Sequence, residues 1–167
     1  MPATLVTRHA AQKVVRALLP WPAPATALGS SFFTTADAIA DAFRAEGVSK
    51  VFMLGFLGQA EVATSLRPVQ ASRHGLWAWN EERATAILKG CEVDLVAGAS
   101  AADQVKALLW ELSSDPQYGL KQIRACTDAF SAGVAVGAYY ARDDDDAAER
   151  VGNAAVRWQS DWGFTGW

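Results

Sequence analysis

Cysteine, histidine and net positive charge are all scarce in this sequence, and each scarcity excludes a class of protein. The 167 residues include 2 cysteines and 2 histidines, which are too few for a disulfide framework or a thiolate zinc site. The 15 Lys and Arg residues are outnumbered by 18 Asp and Glu residues, so the chain lacks the basic face that binds nucleic-acid phosphates. We therefore expect no metal, no cofactor and no nucleic-acid partner. Cys91 and Cys126 are interpreted as small buried hydrophobic residues, with a single disulfide between them as the alternative.

Long apolar runs are also missing. None reaches the roughly 18 residues that a membrane-spanning helix needs. The apolar stretch at 17–19 is followed by Pro20, Pro22 and Pro24, which make it a poor signal-peptide core. The sequence thus predicts no membrane span and no signal peptide. Hydrophobic residues nevertheless make up 51% of the chain and charged residues 20%, a balance typical of one packed domain.

Turn and capping residues divide the chain into about seven helices with at most a very small β-hairpin, which is an all-α fold. Residues 1–33 are predicted to hold a first helix over 4–19 and a proline-rich linker. The helix that begins near Ser49 is apolar nearly all round, as is typical of the buried centre of a domain. A brief hairpin is predicted over 73–79. Side chains that can cap helix N-termini are found at Thr34 or Thr35, Ser49, Asn80, Ser100, and Thr127 or Asp128.

Three local patterns are interpreted as structural. Gly133 and Gly137 lie four residues apart and predict close packing of two helices. The four aspartates at 143–146 precede the last helix, where exposed amides and the helix dipole favour carboxylates. The glycine turn of a Ca²⁺ loop is absent from this run, so we interpret it as a solvated cap. Glu111 lies in an apolar helix and is either a buried structural carboxylate or the polar side of an amphipathic helix.

Two groups of aromatic residues are candidates for contacts with other molecules. In an extended segment Trp77 and Trp79 would point to opposite faces, so that one is core while the other lines a groove; the alternative for each of them is packing in the core. The tail over 159–167 is broken by glycines, and such a terminus is a poor part of a core. Its aromatic residues either dock on a partner chain or pack on the core after all; they are Trp162, Phe164 and Trp167.

Several short motifs follow one another in a specific order between residues 34 and 158. The segment from Gly58 to Pro68 stands where a known family has G-N-x-x-x-E-S-G-L-x-P. The segment 74–79, His-Gly-Leu-Trp-Ala-Trp, stands where that family has Y-G-I-x-Q-W, and a helix with an early arginine, Arg83, follows. Leu-Trp-Glu-Leu at 109–112 resembles the family's L-W-x-E-L, one residue longer, and Tyr-Tyr-Ala-Arg at 139–142 resembles its Y-Y-E-R. This order resembles the phage tail lysozyme family, a branch of the lysozyme superfamily.

Three polar positions of that family are occupied here by alanine. The resemblance implies that the glutamate directly before S-G-L-x-P is the general acid, which protonates the leaving glycosidic oxygen. Without gaps, that position is Ala63. The glutamine of the Q-W pair, which helps to line the sugar groove, falls on Ala78, and the glutamate of Y-Y-E-R falls on Ala141. The candidates for lining the glycan groove are His74, Trp77, Ala78, Trp79 and Tyr140.

Glu61 is the candidate replacement for the missing acid. Two positions along a helix turn a side chain by about 200°, so Glu61 is expected to point nearly opposite to Ala63. The loop from Thr64 to Arg73 contains no Asp or Glu, and it therefore offers no second carboxylate for the usual catalytic pair. A lytic transglycosylase can manage with one carboxylate, so this activity is not excluded.

The resemblance implies a phage or prophage virion component, made in the bacterial cytoplasm and associated with the tail. Loss of general acid catalysis costs typically ~10²–10⁴-fold in rate. We therefore expect a structural or peptidoglycan-contacting module whose partners are other virion or tail proteins and, as a further candidate, peptidoglycan itself. The alternative is an active muramidase or lytic transglycosylase that uses Glu61 as its general acid.

Overall fold

The computed structural model describes residues 30–67, 72–161 and 167, and the all-α prediction is confirmed there. The only β contact within these ranges is an isolated antiparallel bridge between His74 and Trp79. The α-helices are α1 (Ser30–Ala45), α2 (Lys50–Thr64), α3 (Glu81–Cys91), α4 (Ala101–Ser114), α5 (Leu120–Arg124), α6 (Ala129–Ala135) and α7 (Asp145–Asp161). A 3₁₀ turn (Pro116–Tyr118) precedes α5, and α6 continues as π-helical turns over Val136–Ala141.

Most helices begin at the capping residues that the sequence predicts. Ser49, Asn80, Ser100 and Asp128 each accept a hydrogen bond from the backbone amide three positions later, at 3.2, 2.9, 3.1 and 2.9 Å. Asp144 of the acidic run accepts from the amide of residue 147 at 2.8 Å and so caps α7. Local side-chain chemistry therefore sets these starts, because each cap satisfies an amide that lacks a partner within its helix.

The two ends of the domain differ from the prediction. α1 begins at Ser30 and not at a cap on Thr34 or Thr35, because packing stabilises one more turn: the ring of Phe33 contacts that of Trp158 on α7 at 6.3 Å. At the other end α7 continues to Asp161, so the predicted tail over 159–167 starts as helix. The predicted helix over 4–19, most of the linker, Pro68, Trp162 and Phe164 lie outside the described residues.

α2 is the central helix, and glycines let α6 and α7 approach it closely. Every residue of α2 from Phe52 to Ala60 is buried, as its apolar sequence predicts. A Cβ atom added at Gly58 would lie 2.8 Å from the carbonyl oxygen of Val151 on α7. One added at Gly133 of α6 would lie 2.6 Å from the Cα of Gly152. The close packing predicted from the glycine spacing in α6 is confirmed.

Two further predictions concern the membrane and the cysteines. No helix in the described part of the chain is long and apolar enough to cross a membrane. Cys91 and Cys126 are both free and half-buried, so no disulfide joins them. Burial raises the pKa of each thiol above its ordinary value, which disfavours the reactive thiolate.

Candidate functional site

Residues 73–79 form a tight turn. The backbones of His74 and Trp79 exchange two hydrogen bonds, of 2.8 and 2.9 Å, and close it. Gly75 (φ +68°) and Ala78 (φ +53°) both adopt the left-handed conformation. A side chain at Gly75 would also collide with the ring of Trp79, so this position requires glycine. The segment reverses direction within six residues and is not extended.

The tip of this turn is fixed to two helices through one residue. The amide of Leu76 donates to Oε1 of Gln104 on α4 at 2.7 Å, and its carbonyl oxygen accepts from the hydroxyl of Thr64 on α2 at 3.0 Å. The side-chain nitrogen of Gln104, Nε2, in turn donates to the carbonyl of Ala99 at 2.8 Å. Gln104 is not among the site residues that the sequence predicts. A glutamine on the apolar side of a helix is the pattern that could have identified it. The turn is thereby held against the C-terminal end of α2.

Trp77 and Trp79 both lie in the core, at 3% and 0% exposure, with ring centroids 5.5 Å apart. The expectation that they point to opposite faces is wrong, because the segment turns between them. Trp77 Nε1 donates to the carbonyl of Phe56 on α2 at 2.9 Å. Stacking on a sugar needs an exposed aromatic face, and neither ring has one in this conformation. Both tryptophans pack the turn onto the helices.

A buried carboxylate lies on the other side of Trp79. Glu111 of α4 is 5% exposed, which resolves its two sequence interpretations in favour of a buried structural group. Its Oε2 accepts from Trp79 Nε1 at 2.8 Å and from the Tyr140 hydroxyl at 2.9 Å. Arg83 of α3 donates to both carboxylate oxygens, at 2.6 and 2.7 Å. We call these four residues the Glu111 network; they tie the turn, α3, α4 and the π-helical segment together.

The electrostatics of the Glu111 network favour a permanent ion pair. Burial alone would lower the pKa of Arg83, but the hydrogen bonds and charge of Glu111 raise it above its ordinary value. The guanidinium also lies over the rings of Tyr140 and Tyr118, at 4.6 and 5.0 Å from their centroids. Burial raises the pKa of Tyr140 well above its ordinary value, so its hydroxyl remains a donor. A buried network in which each of these groups has a hydrogen-bond partner makes the packing of the core rigid and specific.

Ala63, where the resemblance places the acid, lies on the face of α2 that meets the turn. Ala63 follows Phe56 by seven residues, which returns it to nearly the same direction around the helix. Phe56 contacts the rings of Trp77 and Tyr140 at 6.4 and 5.3 Å. Only a methyl group extends from this face at position 63.

Glu61 lies on the opposite face of α2. Its carboxylate forms an ion pair with Arg157 of α7, and its side chain is 18% exposed. Gly58, one turn earlier on the same side of the helix, contacts the backbone of α7. The structure therefore directs Glu61 towards α7, while Phe56 and Ala63 share the side that meets the turn.

Of the remaining candidates, His74 and Ala78 lie in the turn, whereas Trp167 lies elsewhere. His74 is 9% exposed and its Nε2 lies 2.9 Å from Glu81 Oε2. Ala78 is half-buried at the turn. Trp167 is partly buried against the hydrophobic core, as one of its two interpretations expects, and its indole N–H donates to the carbonyl of Val48, in the loop after α1, at 3.2 Å. Its ring is also covered by the guanidinium of Arg44 at 5.0 Å. Among the described residues no group of three or more His, Cys, Asp or Glu side chains is placed to hold a metal ion.

Comparison with known proteins identifies the family. The model of the phage tail lysozyme family matches residues 34–161, which is most of the chain. The chain therefore belongs to this family, and the motifs that the Glu111 network joins are among those on which the resemblance rests. No curated protein and no solved structure matches it.

Proposed function

We propose that this chain is a tail-associated virion component whose lysozyme-like domain has lost its catalytic acid and serves as a structural or peptidoglycan-contacting module. Its membership of the phage tail lysozyme family supplies the virion context. The observation that carries the loss of catalysis is the direction of Glu61, which is paired with Arg157 on α7. The family's acid position, Ala63, bears a methyl group.

The chemistry of glycoside cleavage makes this arrangement unfavourable for hydrolysis. A general acid must hold a proton and place it within hydrogen-bond reach of the leaving oxygen. A carboxylate that is paired with a guanidinium on α7 is not free to meet a leaving oxygen on the other side of α2. Glu61 thus differs from a general acid both in direction and in partner. The segment between Thr64 and Arg73 carries no Asp or Glu that could serve as a second carboxylate.

Contact with the wall would have to use groups other than the two tryptophans of the turn, which are buried. The exposed part of the turn region offers backbone groups, the partly exposed Ala78 and the carboxylate of Glu81, which pairs with His74. Polar groups of this kind bind a glycan by hydrogen bonds and not by ring stacking. Assembly with other tail proteins therefore stands first in this proposal, and peptidoglycan contact stands second.

Clearing of purified peptidoglycan by the chain tests the proposal. We expect no loss of turbidity with the unmodified protein, and no difference between it and Glu61→Gln. Ala63→Glu is the matched positive variant, because it restores a carboxyl group at the family's acid position. Clearing by the unmodified chain that disappears in Glu61→Gln would overturn the proposal. It would establish the alternative, a muramidase or lytic transglycosylase that uses Glu61.

A sedimentation assay with the same peptidoglycan separates the two binding roles. Co-sedimentation without clearing supports a wall-contacting module. Absence of both supports assembly within the particle, which is checked by co-purification of this chain with tail proteins from intact virions. A chain that neither sediments with wall nor accompanies the particle would contradict both roles.

A further inference from the structure

Two buried side-chain oxygens of α2 have no hydrogen-bond partner among the described residues, Gln59 Oε1 and Glu61 Oε2. Glu61 is paired with Arg157 through its other oxygen, whereas the side chain of Gln59 has no role in the contacts described above. Gln59 is 6% exposed, and its side-chain Oε1 has no hydrogen-bond partner among the residues that the structure describes. A buried amide oxygen without a donor is unfavourable, because it has lost its hydrogen bond to water without replacement. Such an atom in a folded protein calls for an explanation.

The missing donor can be located from the geometry of α2. Gln59 and Ala63 are four residues apart within one helix, which ends at Thr64, and side chains at this spacing are neighbours on the surface of a helix. Long side chains in a helix also extend back towards its N-terminus, so a longer residue at position 63 would extend towards Gln59. Alanine at 63 offers no polar atom.

We propose that Gln59 is a positioning residue for a proton donor at position 63, and that the alanine found there leaves its amide oxygen without a partner. This inference rests on the proposed function, which assigns the lost acid to position 63. An amide oxygen that accepts the O–H of a carboxyl group stabilises the protonated form. The protonated form is the one that a general acid needs before it reacts.

A stability cycle with four backgrounds tests this pairing. Gln59→Leu is made in the unmodified chain, in Ala63→Met as the apolar control, and in Ala63→Glu and Ala63→Gln, which both introduce a donor. In the first two backgrounds we expect Gln59→Leu to raise the urea midpoint, because it removes an unsatisfied oxygen. In the two donor backgrounds we expect it to lower the midpoint, because it breaks the new bond. Each shift should be on the order of 0.5 M urea.

The reversal of sign is the decisive readout, because a residue that only fills space would respond alike in all four backgrounds. Equal shifts would therefore overturn the inference. Should Ala63→Glu not fold, the neutral Ala63→Gln carries the test by itself. The clearing assay of the unmodified chain is independent of this cycle: clearing through Glu61 would overturn the proposed function, whereas equal midpoint shifts would overturn only the pairing.

Discussion

The Glu111 network and the end of α2 around Ala63 both contact the turn at 73–79, but they differ in whether their polar side-chain atoms have hydrogen-bond partners. Around Glu111 each carboxylate oxygen has at least one donor, from three different elements. At the end of α2, position 63 carries a methyl group, and the oxygen of Gln59 has no hydrogen-bond partner within residues 30–67, 72–161 and 167. The polar side chains of the Glu111 network are thus separate from Ala63 and Ala78, the positions at which the resemblance places the family's acid and its groove glutamine. We therefore expect that substitutions at the second set can leave the first intact.

The largest effect should come from breaking the Glu111 network. Glu111→Leu leaves the guanidinium of Arg83 largely buried without its partner, and we expect a loss of about 3 kcal/mol in the free energy of unfolding. Urea denaturation measures it. Glu82→Leu, a change on the exposed face of α3, is the control and should cost less than about 0.5 kcal/mol.

A double variant shows whether the cost comes from the orphaned charge. Arg83→Met with Glu111→Leu should be more stable than Glu111→Leu alone, because both members of the pair are then apolar. If the double variant is less stable than the single one, the cost of Glu111→Leu has another origin, and the network is not the ion-paired framework described above.

The next effect concerns the close backbone contact between α6 and α7, which involves no polar side chain. Gly133→Ala would place a methyl group against the backbone of Gly152 and Val151, which cannot move aside as a flexible side chain could. We expect a cost of roughly 1–3 kcal/mol, seen as a lower Tm. Gly47→Ala is the matched control: it meets open space and carries only the strain of φ +69°. A smaller cost at Gly133 than at Gly47 would contradict the contact.

A smaller effect is expected at Trp167, which belongs to neither region. Trp167→Phe keeps an aromatic ring beneath Arg44 but removes the N–H that donates to Val48. We expect a loss of about 0.5–1 kcal/mol in unfolding free energy, with the fold retained in circular dichroism. Docking of Trp162, Phe164 and Trp167 on a partner chain stays a prediction. Loss of the folded state in Trp167→Phe would instead make Trp167 a core residue.

The sequence predicts features that depend on near neighbours. The caps at Ser49, Asn80, Ser100 and Asp128 are each a side chain and an amide three positions apart, so the local pattern contains the whole interaction. The same holds for the glycine spacing in α6. The direction of Glu61 relative to Ala63 likewise follows from helix geometry alone.

Features that depend on distant partners could not be predicted in this way. Glu111 bonds to Arg83 and Tyr140, which are 28 and 29 positions away, and nothing in the local helix pattern identifies them. The sequence predicts opposite faces for the two tryptophans of the turn, because an alanine gives no indication that position 78 adopts the left-handed conformation. An alanine at φ +53° is held there by the bonds of the turn, which involve residues from α2 and α4.

The smallest effect on stability should come from a substitution of Ala78, one of the positions that the resemblance assigns to the sugar groove. Ala78→Gln introduces the residue type that the resemblance places there. The strain of the left-handed backbone is similar for alanine and glutamine, so it contributes little to the difference in stability between the two proteins. We expect a change of less than about 0.5 kcal/mol in unfolding free energy, by urea denaturation. Ala78→Val is the control and should be clearly destabilising, because a β-branched side chain tolerates a positive φ poorly. Should Ala78→Gln cost as much as Gly133→Ala, position 78 belongs to the framework, and the separation between the two sets of residues does not hold at the turn.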